Sequence, residues 1–235
     1  MSKSKVQLVP FDPDSPDHAT RMVDQRTECG WHFDKVPDWQ EDQRSGKKCI
    51  YWIVSFMFAP RPSSVVLDRN TYRVRQEKTP LKDTATSLRA TPRTPTGITF
   101  HPVGHISLDV DNPAAKRLQL PIPSENLYWI KSLYVSYALQ SAGIGRAAMD
   151  EVEGMATSEP LCAKVLMLDT VAKEDQHREE LFQHLDGRPP AMSTELWYAR
   201  RGYKVIWKEL NFYPDFDKDG IPLGRHTVFM RRDLL

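Results

Sequence analysis

Apolar residues alternate weakly over Val6–Phe11, and this period of two predicts a first strand. The next pattern is helical. Ser15-Pro16-Asp17 supplies a capping hydroxyl, a proline for the first turn and an acid near the helix start, and Ala19, Met22, Val23 and Arg26 follow at helical spacing. Glycine in Cys29-Gly30-Trp31-His32-Phe33 breaks that helix; Pro37 opens a second, which ends by Gly46. Cys49–Phe58 is a dense apolar run, too short to span a bilayer, and predicts a buried strand. The pattern is then lost between Ala59 and Gly97, where prolines 60, 62, 80, 92 and 95 stand among Thr, Ser and Arg. This stretch predicts an insertion with little regular structure, short strands near Ser64–Leu67 and Thr71–Val74 apart. Beyond it come strands over Ile98–Val110 and Asn126–Val135 and a helix over Gly145–Met155, with Ile144, Ala147, Ala148, Val152 and Met155 along one side. A buried strand over Lys164–Thr170, a charged helix over Lys173–Leu185, a short helix over Thr194–Arg201 and a hairpin of Val205–Phe212 with His226–Arg232 complete the chain. The order is that of an α/β fold with a largely antiparallel first half.

Composition narrows the function classes. The 235 residues are 40% hydrophobic and 27% charged, with a net charge of +1, so no global field favours nucleic acid as a partner. Cys29, Cys49 and Cys162 are odd in number and far apart, which points to a reducing compartment rather than a disulfide framework or a CxxC metal knuckle. The N-terminus has no apolar leader pattern, and a cytoplasmic protein without membrane segments is expected.

The candidate chemistry sits in Gln140-Ser141-Ala142-Gly143-Ile144-Gly145, which runs directly into the helix that starts near Gly145. Helix-start amides point outward, the macrodipole favours an anion there, and glycine lets a phosphate reach the backbone. Four readings compete: a dinucleotide, a nucleoside triphosphate, coenzyme A, or no ligand. Gly143-Ile144-Gly145-Arg146-Ala147-Ala148 fits G-x-G-x-x-A, and Asp169 on the next strand stands near where a ribose-binding acid belongs. Against the dinucleotide, the strand ends at Val135 and seven residues intervene before the first glycine, and no further βα repeats follow. No G-K-[ST] follows the glycines, so a P-loop does not fit.

Leu133-Tyr134-Val135, a short loop, and then Gln140-x-x-Gly143-x-Gly145 together resemble the acyl-CoA signature of the GCN5-related N-acetyltransferases. Leu196–Tyr203 is similar to the same family's LYxxxGF turn, with Tyr198 four residues before Gly202 and Tyr203 in place of the Phe. The resemblance is close over about Asn126–Trp207 and looser back to Val6. It implies a mixed, largely antiparallel central sheet with flanking helices in one domain over residues 1–235. That domain would carry an insertion at about 59–97 and an inserted charged helix at about 173–191. It also implies an acetyl-CoA-dependent N-acetyltransferase without a metal, acting on a primary amine of a small molecule or peptide by direct attack in a ternary complex. Monomer and homodimer both remain open. A catalytically silent acyl-CoA-binding module on the same fold is the alternative, and a nucleotide-binding oxidoreductase a more distant one.

The resemblance assigns the cofactor contacts to Leu133, Tyr134, Val135, Gln140, Ser141, Ala142, Gly143, Ile144, Gly145 and Arg146. With the resemblance, the chemistry implies that the backbone N–H of Val135 would polarise the thioester carbonyl and that Tyr198 would be the general acid for the leaving thiolate. Two departures stand out: Ala191 occupies the place of a cofactor-touching Asn, with Ser193 or Thr194 as candidate replacements, and the strand before the glycine loop has no carboxylate after Glu125 to serve as base. His105, Asp109, Asp169 and a water chain are the alternatives for the base. For the acceptor, Asp215, Asp217 and Asp219 in the last hairpin would draw a cationic amine, with Trp31 and Phe33 on the other side of the mouth. His101 and His105 have a zinc-like spacing, but Pro102 and Gly104 argue against the helix it needs. Asp215–Gly220 starts like a calcium loop but has His226 where the final Glu belongs.

Overall fold

The computed structural model describes residues 5–55, 80–179, 192–213, 216 and 220–234. The strand readings at 64–67 and 71–74, the segment 180–191, and Asp215, Asp217 and Asp219 lie outside the described residues. The main strands are β1 (Val6–Pro10), β2 (Ile50–Ser55), β7 (Pro102–Asp109), β8 (Leu127–Val135), β9 (Val165–Val171), β10 (Lys204–Leu210) and β11 (His226–Asp233), with β3 to β6 in the insertion between β2 and β7. The main strands are hydrogen-bonded in the order β1-β2-β7-β8-β9-β11-β10, a seven-stranded sheet. β1–β2, β2–β7, β9–β11 and β10–β11 are antiparallel, and β8 runs parallel to β9. The fold is thus mixed α/β with a mostly antiparallel sheet. The chain divides into two compact units, Met1–Asp111 with Ile130–Leu161, and Asn112–Trp129 with Cys162–Leu235.

In the first unit, helix α1 (Pro16–Cys29) starts where the sequence says. The Ser15 hydroxyl accepts from the His18 N–H, and Gly30 ends the helix in the left-handed region at φ 80. Helix α2 (Val36–Ser45) follows a single 3-10 turn at Phe33–Lys35 and closes at Gly46. Their apolar faces meet β1 and β2 in a core of Phe11, Met22, Val36, Trp39, Ile50 and Trp52. Truncating one such aromatic costs ~3–5 kcal/mol. Helix α3 (Ile144–Thr157) buries Ile144, Ala148, Met149, Val152 and Ala156 and packs on β1 and β7. Every residue of β7 is buried, so its polar members His105, Ser107 and Asp109 need partners inside.

The part of the insertion that is described is more ordered than its composition predicts. β3 (Leu81–Lys82) pairs with β6 (Thr99–Phe100), and β4 (Ser87–Leu88) with β5 (Thr91–Pro92). The Asp83 carboxylate staples this excursion: it accepts from both Arg93 Nη atoms at 2.7 and 2.9 Å and from the Thr96 N–H and hydroxyl at 2.9 and 2.7 Å. The Arg93 hydrogen bonds hold its carboxyl far below the usual range, against the effect of burial. The single strand expected over Ile98–Val110 is broken at His101 into β6 and β7.

In the second unit, Trp129, Val165, Met167, Phe212 and Phe229 form the core, flanked by a 3-10 turn at Pro113–Leu118 that periodicity does not reveal. The charged helix expected from Lys173 starts differently: Lys173–His177 form turns. Asp175 organises them by accepting from the His226 N–H and Nδ1 at 2.6 and 2.9 Å. Helix α4 (Thr194–Ala199) is capped by the Ser193 hydroxyl, and Gly202 turns the chain at φ 92 into β10.

Candidate functional site

β8 ends at Val135 with unusual closeness to β7. A Cβ built on Gly104 would lie 2.1 Å from the Tyr134 carbonyl oxygen, so only glycine permits this approach. The β2–β7 register slips here, with Ile53 opposite Gly104 and Val54 opposite Pro102, which makes Val103 the extra residue of a bulge. The Val103 carbonyl accepts from the Ser136 N–H at 2.9 Å, and a 3-10 turn at Tyr137–Leu139 follows. The Gln140 side chain then reaches back, its Nε2 donating to the Val135 carbonyl at 3.1 Å. Through that bond the glutamine of the motif folds the loop onto the strand end.

The loop closes through two left-handed residues, Ser141 at φ 67 and Gly143 at φ 81. Gly143 is the N-cap of α3 and offers no side chain to the first amides, and the first turn holds no acid. A Cβ at Gly143 would meet nothing within 4 Å, and one at Gly145 only the Val135 side chain at 3.8 Å. Ser141, Gly143 and Arg146 are exposed, Ala142 and Gly145 half-buried, Ile144 buried. Leu133 and Val135 are half-buried, and Tyr134 is buried against His105, ring on ring at 5.3 Å. So the residues assigned by motif lie in succession in the first unit as a strand end, an open glycine and an uncapped helix start, with Tyr134 and Ile144 buried and the others half-buried or exposed. Such a helix start receives phosphate oxygens at backbone amides.

The remaining expectations meet mixed outcomes. Trp31 and Phe33 lie in the first unit between α1 and α2. Phe33 is 52% exposed, and the Trp31 carbonyl accepts from Arg26 Nε at 2.7 Å. Tyr198 lies in the second unit, half-buried, its ring 4.9 Å from Trp197 and 6.0 Å from the buried Tyr203. Its carbonyl accepts from the N–H groups of Arg201 and Tyr203, which makes the glycine turn tight. Ser193 and Thr194, the candidate replacements for the missing Asn, are otherwise engaged. Ser193 caps α4, and the Thr194 hydroxyl pairs with that of Thr170.

Two base candidates are occupied. Asp109 accepts from Lys48 Nζ at 2.7 Å in a buried ion pair. His105 is fully enclosed, and burial, followed by the charges of Arg26 and Lys48, drives its pKa well below 6.5. Asp169, in the second unit, accepts from Asn112 Nδ2 at 3.3 Å. Among the described residues no group of three or more His, Cys, Asp or Glu gathers as a metal site, and no helix is long and apolar enough to cross a membrane. The residue that sequence reasoning passed over is Arg26, which falls on the apolar spacing of α1 and is buried there. A charge on that stripe was the available signal.

Comparison with known proteins gives this geometry its context. An aminoglycoside 6'-N-acetyltransferase complexed with coenzyme A is similar in structure, with a TM-score of 0.52 at 11% identity, covering 97% of this chain and 97% of that one. Arabidopsis thaliana NAA60 in complex with a bisubstrate analogue gives 0.51 at 12%, over 98% and 99%. The aminoglycoside 6'-N-acetyltransferase of Enterococcus faecium gives 0.51 at 10%, over 97% and 97%. At these identities the likeness is one of fold. No curated protein matches the chain in sequence. The sequence model of the acetyltransferase (GNAT) family matches residues 67–186, just over half of the chain and the whole of the strand, glycine loop and helix described above. On that match, the chain belongs to the acetyltransferase (GNAT) family.

Proposed function

We propose that this chain is an acetyl-CoA-dependent N-acetyltransferase that moves the acetyl group to a primary amine within a ternary complex. The observation that carries the reading is the start of α3, where an open glycine N-cap, lacking both a capping side chain and an acid, follows directly on the end of β8. The pyrophosphate of the co-substrate binds the amides of Ser141–Arg146, and Arg146 adds charge at the rim. The pantetheine arm runs along Leu133–Val135. The coenzyme A held by the aminoglycoside relative supports this choice of ligand.

The chemistry needs a neutral amine, a polarised carbonyl and a proton for the leaving sulfur. The Val135 N–H donates to the thioester oxygen as charge grows there. The amine nitrogen forms a bond to the carbonyl carbon, and the carbon–sulfur bond breaks. Tyr198 is the proton source: a phenol near pKa ~10 is still protonated when the thiolate forms, gives its proton to the sulfur, and is restored by the proton that the new amide nitrogen sheds. An alkyl amine of pKa ~10.4 must first lose a proton. With Asp109 in its ion pair and His105 enclosed, that proton leaves through water.

An amine panel incubated with acetyl-CoA, followed by thiol release, tests the activity. A chain that binds coenzyme A yet releases no thiol with any amine would be the silent module instead. Tyr198→Phe should lower turnover about ten- to a thousandfold while leaving acetyl-CoA binding nearly unchanged. Undiminished turnover, measured where chemistry limits the rate, would reduce Tyr198 to a packing residue.

A further inference from the structure

Arg26 is 4% exposed, at the C-terminal end of α1. An arginine buried to this extent ordinarily faces a carboxylate, because an uncompensated buried charge is costly. Here its partners are neutral. Its Nε donates to the Trp31 carbonyl at 2.7 Å, and its Nη1 lies 3.4 Å from His105 Nε2. The tautomer of His105 follows from its other neighbour. Gln25 Nε2 donates to the Pro102 carbonyl, so its Oε1 faces His105 Nδ1 at 2.7 Å, and that nitrogen must carry the proton. His105 Nε2 is therefore bare and accepts from Arg26. This relay orients the guanidinium without neutralising it.

A guanidinium has five N–H groups, and among the described residues only two are engaged. The titratable groups that favour its charged form are Cys29, Tyr134 and Tyr137, a thiol and two phenols. Burial raises the first two above their ordinary values, so they carry no charge at neutral pH. Glu28, the nearby acid of the same helix, acts on Tyr134. Other cations crowd the place. Arg26 and Lys48 both lie over the Trp39 ring, at 5.2 and 4.7 Å from its centre. Lys48 already has Asp109. His32 is pressed down to about 4, first by burial and then by Arg26 and Lys131, against a smaller pull from Asp34. Among the described residues no carboxylate is hydrogen-bonded to Arg26, and its guanidinium lacks a direct counter-charge there.

Location says where that charge comes from. His105 stacks on Tyr134, the residue before Val135. Arg26 therefore serves the end of β8, whereas phosphates belong at Ser141–Arg146. We propose that Arg26 receives a carboxylate of the acceptor, so that the substrate is an amine bearing its own carboxylate, of the amino-acid class. This rests on the transferase reading and deepens it. The planar fork of Arg26 matches a carboxylate through two parallel hydrogen bonds.

The test compares L-amino acids with their carboxamides as acceptors in the thiol-release assay, using the full chain. The amide lowers the pKa of the amine, so intrinsic reactivity favours the carboxamide, and a preference for the acid has to come from the protein. Expected is a kcat/KM about ten- to a hundredfold higher for the acids, lost mainly through KM in Arg26→Gln and partly kept in Arg26→Lys. Equal use of both sets by the wild type, or a preference that survives Arg26→Gln, overturns the assignment. If Arg26→Gln does not fold, the wild-type comparison decides alone. A second arm separates this idea from the transferase reading: melting of the chain with N-acetylglycine and with N-acetylglycinamide. If no amine is acetylated, the transferase reading falls. A rise in melting temperature with the acid alone, absent in Arg26→Gln, then still sustains the anion site, and equal behaviour of the two probes ends it.

Discussion

Helices α1 and α3 are each 14 residues long, and they begin in opposite ways. At α1 the Ser15 hydroxyl serves the first turn and Asp17 complements the dipole. Behind them His18 closes the entrance: its Nδ1 accepts from the Asp12 N–H at 3.0 Å and from Trp52 Nε1 at 3.1 Å, while Nε2 faces the Lys82 carbonyl. At α3 every one of these devices is missing, and a left-handed glycine stands exposed in their place. A start that is fully served internally contributes to stability. One that is left open is held ready for something from outside. Both beginnings are written in short strings of residues, and the second is the one to which coenzyme A is assigned in the proposed function.

The strongest challenge to this contrast is Gly143→Asp. A Cβ at this position meets no protein atom within 4 Å, so the main cost to stability is the left-handed backbone, ~1 kcal/mol. The cost to coenzyme A should be far larger, about a hundredfold in affinity, since a carboxylate would stand where phosphate oxygens approach. Calorimetric titration with coenzyme A checks this, and unchanged affinity would remove the phosphate from the α3 start.

Acid should attack the closed start instead. Burial holds His18 below its usual 6.5, so in mild acid the unfolded chain binds a proton that the folded chain refuses. Its stabilising contribution is complete above about pH 6.5 and drains as pH falls through the folded value, at up to ~1.4 kcal/mol per pH unit for this one histidine. His32 and His105 are shifted in the same direction and steepen the decline. Urea unfolding between pH 7.5 and 5 measures the slope, and a flat profile would contradict the assigned neutral rings. The smallest effect belongs to Ser15→Ala, which should cost about 1 kcal/mol of stability and leave coenzyme A affinity where it was. A change in affinity would mean that the two starts are not the independent devices described here.

The elements that could be read from the sequence are those whose signals are local. Ser15-Pro16, Gly30 and Gly46 mark helix ends with their own backbone and side-chain chemistry, and each does so in the folded chain. Gln140, Gly143 and Gly145 were legible for the same reason. What periodicity missed depends on partners distant in sequence. The Asp83 staple needs Arg93 and Thr96 to turn a proline-rich excursion into paired strands. Lys173–His177 form turns because Asp175 is claimed by His226. The role of Arg26 needs His105 and Gln25, the first some eighty positions away, and no window along the chain can present them together.

The approach of β7 to the end of β8 is secured by a side chain that glycine does not have. Gly104 lets the Tyr134 carbonyl pass at a distance no other amino acid could tolerate, and the N–H of Val135 is the other half of that same peptide group. The placement of that N–H is thus encoded by a missing carbon on the neighbouring strand rather than by a contact of its own. In engineering language this is a tolerance set by a spacer of zero thickness. Redesign of the acceptor walls can vary many side chains, but this position has no adjustable value: a single added carbon shifts the reference edge from which the rest of the site is measured.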